Sequence, residues 1–229
     1  MHIPSARKNL YILTEEVEDD EVGEVEMSKM WLRVDSESSN PQEMSEVWEM
    51  ADTETYYVKI VGTKPLLMNA PTELSDKPTR RRGEHLDPKV EAEMRLYKDP
   101  QGNIVIPSVN IKACIREAGR NYRVRGRKST FAAMIRAGIE IKPFPYVPLI
   151  HNGWTVDIRP VVVQRNRIPR ARPCFEKWSL EFQIINNDPT IIHSDTLRKI
   201  LIDAGKYYGL GDFRPEFGTF RVEKFDMMK

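Results

Sequence analysis

The sequence predicts an α+β domain in which two helices pack on one face of an antiparallel sheet. Two segments, 111–118 and 197–204, carry apolar residues at the i, i+3, i+4, i+7 spacing of a helix with one buried face. Segments 56–61 and 178–184 alternate apolar and polar residues, as half-buried strands do. With a last strand over 219–225, the elements follow the order strand, helix, strands, helix, strand, which is that of a ferredoxin-like domain.

The first helix is predicted to begin at Ser108 as its N-cap, directly after a short extended segment at 104–106. Its apolar stripe is formed by Ile111, Cys114, Ile115 and Ala118, so Cys114 is expected to be a small core residue. The second helix is predicted to begin at 194–195, and its stripe is formed by Leu197, Ile200, Leu201 and Ala204. Glycines at 209 and 211 are expected to end it.

The connections are predicted to differ in length and character. Residues 69–100 are expected to form a mobile insertion with a short helix over 89–98 and a turn at 99–102. Residues 138–141 predict a strand that leads into a proline-rich edge segment at 143–148. The strands at 154–158 and 178–184 are expected to be the two sides of one long hairpin, with a protruding arm over 161–176.

Charge is divided unevenly along the chain. Residues 1–55 hold fifteen Asp and Glu against four Lys and Arg, a net charge of −11, whereas the remainder holds 31 basic and 19 acidic residues, a net charge of +12. We therefore expect a flexible acidic N-terminal extension over 1–54 and the folded domain over 55–229. A basic body favours a polyanionic partner. The extension is interpreted as a solvated charge run, a competitor for the basic surface, or a contact to an adjoining subunit.

Composition excludes several classes of protein. Two cysteines without CxxC spacing exclude a disulfide framework and favour a reducing cytoplasm. No apolar run approaches the roughly 20 residues of a membrane span, and the first residues lack the apolar core of a secretory signal. A cytoplasmic location without membrane contact is therefore expected. The four histidines are scattered, so neither a metal site nor a cofactor is predicted.

Arginine-rich clusters are the strongest functional signal. Arginine forks suit bidentate phosphate contacts and stacking on bases, and nearby aromatic rings suit single-stranded nucleic acid. A solvated basic surface without a partner is the simpler alternative. The predicted contact residues of these clusters are Arg80, Arg81, Arg82, Lys112, Arg116, Arg120, Tyr122, Arg123, Arg125, Arg127, Lys128, Arg165, Arg167, Arg170, Arg172 and Phe175.

The arm has a predicted mechanical use. Pro169 and Pro173 would stiffen it, so its arginines could clamp a strand while Ile168 acts as an apolar wedge between bases. A loop without a fixed shape is the alternative interpretation of the same residues.

Residues 209–220, GLGDFRPEFGTF, form the most specific motif of the chain. Gly209, Gly211 and Gly218 permit positive φ and close backbone approach, so amide groups are expected to meet a phosphate that Arg214 neutralises. The segment lacks GxxxxGK[ST] and is therefore not a P-loop. The simpler role is a helix end that turns into an edge strand, and both roles are compatible.

Two motifs resemble a known family. The letters IPSVNIK at 106–112 resemble the IPGSSLKGxLR helix start of the RAMP superfamily, the RRM-fold proteins of CRISPR effector complexes, although Ser108 and Val109 replace its glycine. Residues 209–220 resemble its C-terminal glycine-rich loop, and the resemblance spans about residues 56–226. The chain equally resembles uncharacterised proteins of phages and mobile elements that share the pattern PLLM…IP…RPVVVQR…GDFRPxFG.

With an arm between strands, the chain is most similar to the crRNA-binding backbone subunits of multi-subunit effectors. That resemblance implies an RRM-like fold and single-stranded, guide-like RNA as partner. It also implies a homo-oligomeric head-to-tail filament in which the arm of one subunit folds over RNA held by the next. A complementary RNA or DNA target and further subunits of a ribonucleoprotein complex are implied as well.

Signals for catalysis are weak. Type III backbone subunits carry a target-cleaving Asp after the first strand, where this chain has Asp76 and Asp87, and no motif selects either. His85, next to Glu84 and the 80–82 arginines, is the one place for a nuclease-like general base. We therefore expect a non-enzymatic RNA-binding backbone subunit. The alternatives are a general single-stranded nucleic-acid-binding protein and an RNA-processing endonuclease on the same fold.

Overall fold

The main sheet is built around its first strand, β1 (Glu54–Gly62), in the computed structural model, which describes residues 53–71, 87–163 and 165–228. β1 pairs antiparallel with β8 (Trp178–Asn186) on one side and with β9 (Phe220–Met228) on the other. Successive side chains of a strand point to opposite faces, so Tyr56 and its period-two neighbours all enter the core. Burial in β8 alternates in the same way.

The strand that flanks β8 is split in two. β4 (Ile139–Lys142) and β5 (Tyr146–His151) both pair with β8, and the proline-rich residues between them bulge away from it. β3 (Val105–Pro107) pairs with β5 and completes the order β3-β5-β8-β1-β9. The strand predicted at 138–141 is therefore present as β4, whereas the prediction that the proline-rich segment 143–148 forms an edge is wrong, because β5 lies between β3 and β8.

Two helices cover one face of this sheet. In α2 (Ser108–Gly119) and α4 (Ser194–Asp203) the predicted apolar stripes are buried against the core, and Cys114 lies fully within it. The α+β, ferredoxin-like and RRM-like fold is thus confirmed. Ser108 is the first helical residue rather than the cap, because its hydroxyl donates to the carbonyl of Pro145.

Two helical features were not predicted. α3 (Phe131–Gly138) follows α2 and packs against it, with Phe131 and Ile135 buried. At its end α4 changes into a π-helical turn, Ala204–Tyr208, which stops at Gly209 with a φ of 73°. The turn directly precedes the glycine-rich segment, so it sets where that segment starts.

A second, smaller sheet carries the hairpin. β6 (Thr155–Val163) pairs along its length with β7 (Asn166–Phe175), and β2 (Leu66–Leu67) joins β7 at its other edge. The prediction that 154–158 pairs with 178–184 is therefore wrong, because β8 lies in the main sheet between β1 and β4. The hairpin is formed by β6 and β7 themselves, and the last pair of their ladder is Val163 with Asn166.

A short helix holds the base of the hairpin. α1 (Pro88–Glu93) packs on β6 and β7, and the carboxylate of Asp87 caps it by accepting from the amide of Lys89 at 2.7 Å. α1 lies in the predicted insertion 69–100, of which residues 72–86 are outside the described part of the chain. The predicted turn at 99–102 is present, with the amide of Gly102 donating to the carbonyl of Asp99.

Candidate nucleic-acid interface

The glycine-rich loop, residues 209–218, is held against β2 and the residue before it by backbone hydrogen bonds. The amide of Asp212 donates to Leu67 at 2.8 Å, and the amide of Gly218 donates to Pro65 at 2.7 Å. Gly209, Gly211 and Gly218 all have φ above 70°. A Cβ on Gly218 would lie 1.7 Å from the carbonyl oxygen of Leu210, so only glycine fits there.

These contacts limit the predicted phosphate cradle. The amides of Gly209 and Gly218 donate to Ala204 and Pro65 within the protein, so they are not available to a phosphate as expected. Gly211 and Arg214 remain exposed, and the guanidinium of Arg214 extends back toward the carbonyl of Gly209 at 3.5 Å. The loop is therefore a rigid support whose exposed residues are Gly211, Arg214, Pro215 and Glu216.

The base of the hairpin is joined to the glycine-rich loop by a charged and aromatic cluster. Nε of Arg172 lies 2.6 Å from Oδ2 of Asp212, and its guanidinium lies 4.9 Å from the ring centre of Phe213. Arg159, across the hairpin, lies 4.4 Å from the ring centre of Phe217. Cation–π contacts of this kind add about 0.5–2 kcal/mol each. The hairpin and the loop consequently form one unit.

A second contact joins the hairpin to α1. The carboxylate of Glu91 accepts from the guanidinium of Arg170 at 3.0 Å and from the backbone amide of Ala171 at 3.3 Å. Glu91 thus satisfies an amide on the edge of β7, where an unpaired edge would otherwise be open to another strand.

The four predicted arm arginines therefore divide into two pairs. Arg172 is only 7% exposed, and it and Arg170 are engaged by carboxylates of the same chain. Arg165 and Arg167, at the turn and just after it, are exposed and form no ion pair within the described residues. Ile168 pairs with Val161 and is half-buried, whereas Val162 is 71% exposed and is the more exposed apolar side chain of the two.

The two predicted aromatic contacts are placed differently from expectation. Phe175 is 0% exposed and packs edge-on against His151, so it is a core residue and offers no face to a base. Tyr122 is half-buried and donates from its hydroxyl to the carboxylate of Asp203 at 2.6 Å. This hydrogen bond and partial burial raise the pKa of Tyr122 to about 12.

Among the described residues, the basic loop, residues 123–130, presents the densest group of cations without an ion pair. Arg123 and Thr130 form a bridge across it, and the amide of Val124 donates to Ser129 at 3.1 Å while its side chain is buried. Before it, Tyr122 is tied to Asp203, as described above. The four cations of the loop are exposed and form no ion pair within the described part of the chain: Arg123, Arg125, Arg127 and Lys128.

A further hydrogen bond links the approach to the basic loop with the glycine-rich loop. Nδ2 of Asn121 donates to the hydroxyl of Tyr208 at 2.7 Å, and Tyr208 directly precedes Gly209. Both loops are thus anchored on the π-helical turn. Its altered pitch is a feature that recurs at functional sites.

The predicted cations on α2 are less free. Glu117 lies 2.8 Å from Nη1 of Arg120 and 3.5 Å from Nη2 of Arg116, so one carboxylate offsets part of both charges. Lys112 is half-buried and forms no ion pair within the described residues. Such partly exposed pairs contribute little to stability, about 0–1 kcal/mol. Because these pairs offset part of the charge, α2 is a secondary part of the basic surface.

Ion pairs lie on the face of the main sheet that points away from the core. Nζ of Lys59 lies 3.2 Å from Glu223 and 3.4 Å from Glu181, and hydrogen bonding to Glu223 raises the pKa of this lysine. Nη2 of Arg221 lies 3.7 Å from Glu223 as well, so two acidic and two basic side chains offset each other in this group. Exposed cations without a carboxylate partner lie instead at the basic loop and the hairpin tip of the described structure.

Several predicted residues lie outside the described part of the chain: Asp76, Arg80, Arg81, Arg82 and His85. Asp87 is described, and its carboxylate caps α1. Among the described residues no group of three or more His, Cys, Asp or Glu is placed to hold a metal ion. No described helix is both long and apolar enough to cross a bilayer.

Three residues of the cluster at the hairpin base were missed at the level of sequence: Asp212, Phe213 and Phe217. All three belong to the glycine-rich motif, but their role depends on β6 and β7 lying beside it. The excess of arginine over acidic residues in 159–172 could have indicated the contact. An arginine of this segment that becomes buried needs a carboxylate from another part of the chain, because the segment has none of its own.

No family model matches the chain, and no curated protein matches it either. A solved structure with a similar fold is a chain in "Cryo-EM structure of the Type III-B Cmr-beta bound to cognate target RNA". The two chains share 14% sequence identity with a TM-score of 0.48, over 82% of this chain. This chain spans 65% of the length of that one.

Proposed function

We propose that this protein binds single-stranded RNA through the basic loop and the hairpin tip. The observation that carries the proposal is that six exposed cations at these two places lack a carboxylate partner within the described residues. They are Arg123, Arg125, Arg127, Lys128, Arg165 and Arg167. Unpaired arginine on rigid supports is the electrostatic footprint of a phosphate-binding surface.

The placement of these cations favours a flexible single strand over a duplex. They project from a short loop and from the end of a two-stranded hairpin, and the broad face of the sheet is occupied by the Lys59 ion pairs. A single strand can follow such separate points because its backbone bends between them. Arginine also stacks on unpaired bases, which lysine does less well.

The resemblance of the helix start and the glycine-rich loop extends the proposal to assembly. The protein would act as a repeating, non-enzymatic subunit on a guide-like RNA in a CRISPR-like or phage-encoded ribonucleoprotein. The hairpin of one subunit would reach RNA held by the next, giving a head-to-tail filament. Further subunits and a complementary RNA or DNA target belong to the same proposal.

Sequencing of the nucleic acid that co-purifies with the full chain tests the identity of the partner. Discrete RNA flanked by repeats supports the guide-bound subunit. Heterogeneous RNA and DNA would instead favour a general single-strand-binding protein. Recovery of a monomer free of nucleic acid, which also ignores added RNA at low salt, would overturn the proposal.

A charge-matched pair of variants tests the surface. Changing Arg123, Arg125, Arg127 and Lys128 to Ala should lower the salt dependence of log K for single-stranded RNA by about 3, at roughly 0.7 per phosphate contact. The control changes four exposed cations elsewhere, Lys177, Arg198, Lys199 and Lys224, and removes the same charge. Equal losses in both variants would show that net charge, rather than the basic loop, determines binding.

A further inference from the structure

A cleft of about 200 Å³ opens between the start of α2 and the glycine-rich loop. Its walls include Ile106 before α2, Asn110 in the first turn of α2 and Tyr97 from the segment before β3. Asn69 contributes from the end of the β2 segment, and Gly211 and Arg214 contribute from the loop. The cleft is smaller than the roughly 300–1,000 Å³ of sites for drug-sized ligands, so it suits one small planar group.

The shape of the cleft is fixed by the backbone around it. Gly211 has a φ of 79°, and a Cβ there would lie 2.3 Å from the carbonyl oxygen of Leu67. The next amide, that of Asp212, donates to the same carbonyl at 2.8 Å. The loop therefore cannot approach or retreat from the β2 segment without losing these contacts. A preformed cleft costs a ligand little in ordering.

The chemistry of the cleft is that of a nucleobase site. The carboxamides of Asn69 and Asn110 have no hydrogen-bond partner within the described residues. Each offers a donor and an acceptor in one plane, which matches the edge of a heterocyclic base. Ile106 is 2% exposed and supplies an apolar wall, and Tyr97 adds an aromatic side chain.

Charge decides which part of a nucleotide enters. Asp212 also lines the cleft, but its carboxylate lies 2.6 Å from Nε of Arg172, so these two charges offset each other and give a phosphate inside no free cation. A base is uncharged, and its exocyclic amino group can donate to a carboxamide oxygen of Asn69 or Asn110. Arg214 is exposed at the rim, where the phosphate of the same nucleotide would remain.

We propose that this cleft binds one base turned out of the RNA strand, with adenine preferred. The inference rests on the proposed function and adds a base-specific site to it. Adenine is preferred because the Asn carboxamide pairs bidentately with its N6 and N7 atoms. The basic loop and hairpin tip hold phosphates without regard to sequence, whereas the cleft reads one position.

The test compares affinities for oligo(A), oligo(C) and oligo(U) of equal length, measured by fluorescence anisotropy with the full chain. Wild type should bind oligo(A) about tenfold more tightly, within the 1–3 kcal/mol of a bidentate base contact. Asn110→Ala and Asn69→Ala should each remove most of that preference and leave the affinity for oligo(U) unchanged. Asn152→Ala, an exposed asparagine after β5, is the matched control and should retain the preference.

Each outcome separates the inference from the proposed function. Equal affinity for the three oligomers, unchanged by Asn69→Ala or Asn110→Ala, would overturn the base site and leave RNA binding intact. Failure of wild type to bind any RNA would overturn both. Because Asn110 lies in the first turn of α2, its variant is first compared with wild type by thermal unfolding. Asn69, which is exposed and outside regular structure, gives the same test without that concern.

Discussion

Nε of Arg172 lies 2.6 Å from Oδ2 of Asp212, and this contact joins the hairpin to the glycine-rich loop. The two atoms form an ion pair whose geometry does not meet the criteria of a hydrogen bond, and Nη1 of Arg172 is buried without a hydrogen-bond partner. The buried cation therefore depends on one carboxylate and on the ring of Phe213. Residues that are separate in the sequence motif thus form one structural unit with the hairpin.

Asp212→Asn should lower the free energy of unfolding by about 2 kcal/mol, because it leaves the Arg172 charge buried without a counter-ion. The value is below that of a fully buried pair, since the Asp212 side chain is 30% exposed. Urea denaturation of Asp212→Asn, Arg172→Met and the double variant measures it. The double variant should be more stable than the sum of the single losses predicts, whereas strict additivity would show that the ion pair contributes nothing.

Arg165→Ala with Arg167→Ala should weaken RNA binding and leave stability within about 0.5 kcal/mol of wild type, because both side chains are exposed and unpaired in the described structure. The salt dependence of log K should fall by about 1.4 for the two lost phosphate contacts.

Arg170→Ala with Arg172→Ala removes the same charge from the same hairpin and serves as the comparison. This pair should mainly lower the free energy of unfolding, because its partners Glu91 and Asp212 lose their counter-ions. If both double variants weakened RNA binding equally without changing stability, the division of the arm arginines would be wrong.

Gly218→Ala should destabilise the protein by more than about 3 kcal/mol, because its Cβ would overlap the carbonyl of Leu210. Gly126→Ala is the matched control, since Gly126 has nearly the same φ of 73° but open space around it. The free energy of unfolding of the control should fall only by about 1–2 kcal/mol, which is what a left-handed backbone conformation costs a non-glycine residue. Thermal unfolding of both variants gives the comparison, and equal losses would show that the close contact is relieved at no cost.

The Tyr122–Asp203 hydrogen bond should weaken at alkaline pH. The pKa of Tyr122 is raised from 10.0 to about 12, so the folded state favours the neutral phenol. Its contribution to stability is complete below pH 10 and is lost as the pH rises toward about 12. The difference in melting temperature between wild type and Tyr122→Phe should therefore be constant below pH 10 and shrink above it. A constant difference across that range would mean that the hydrogen bond does not set the pKa.

Local periodicity predicted most of the fold. The stripes of α2 and α4 and the alternation in β1 and β8 depend only on residues within one element, and each was confirmed by burial. α3 escaped prediction because eight residues provide only two buried positions, Phe131 and Ile135, which is too short a pattern to identify a helix. The hairpin partner was wrong because period-two alternation says that a strand exists but not which strand it pairs with.

The sequence by itself determined the fold class and the excess of basic over acidic residues in the folded domain. Only the tertiary structure decided which arginines stay free for a partner. Arg165, Arg167, Arg170 and Arg172 share one composition, yet Glu91, 79 residues from Arg170, and Asp212 in the glycine-rich loop engage just the last two. A charge belongs to its residue, whereas its counter-ion is set by contact between distant segments. For the same reason the sequence could not predict the cleft that Asn69 and Asn110 line, because its walls come from separate parts of the chain.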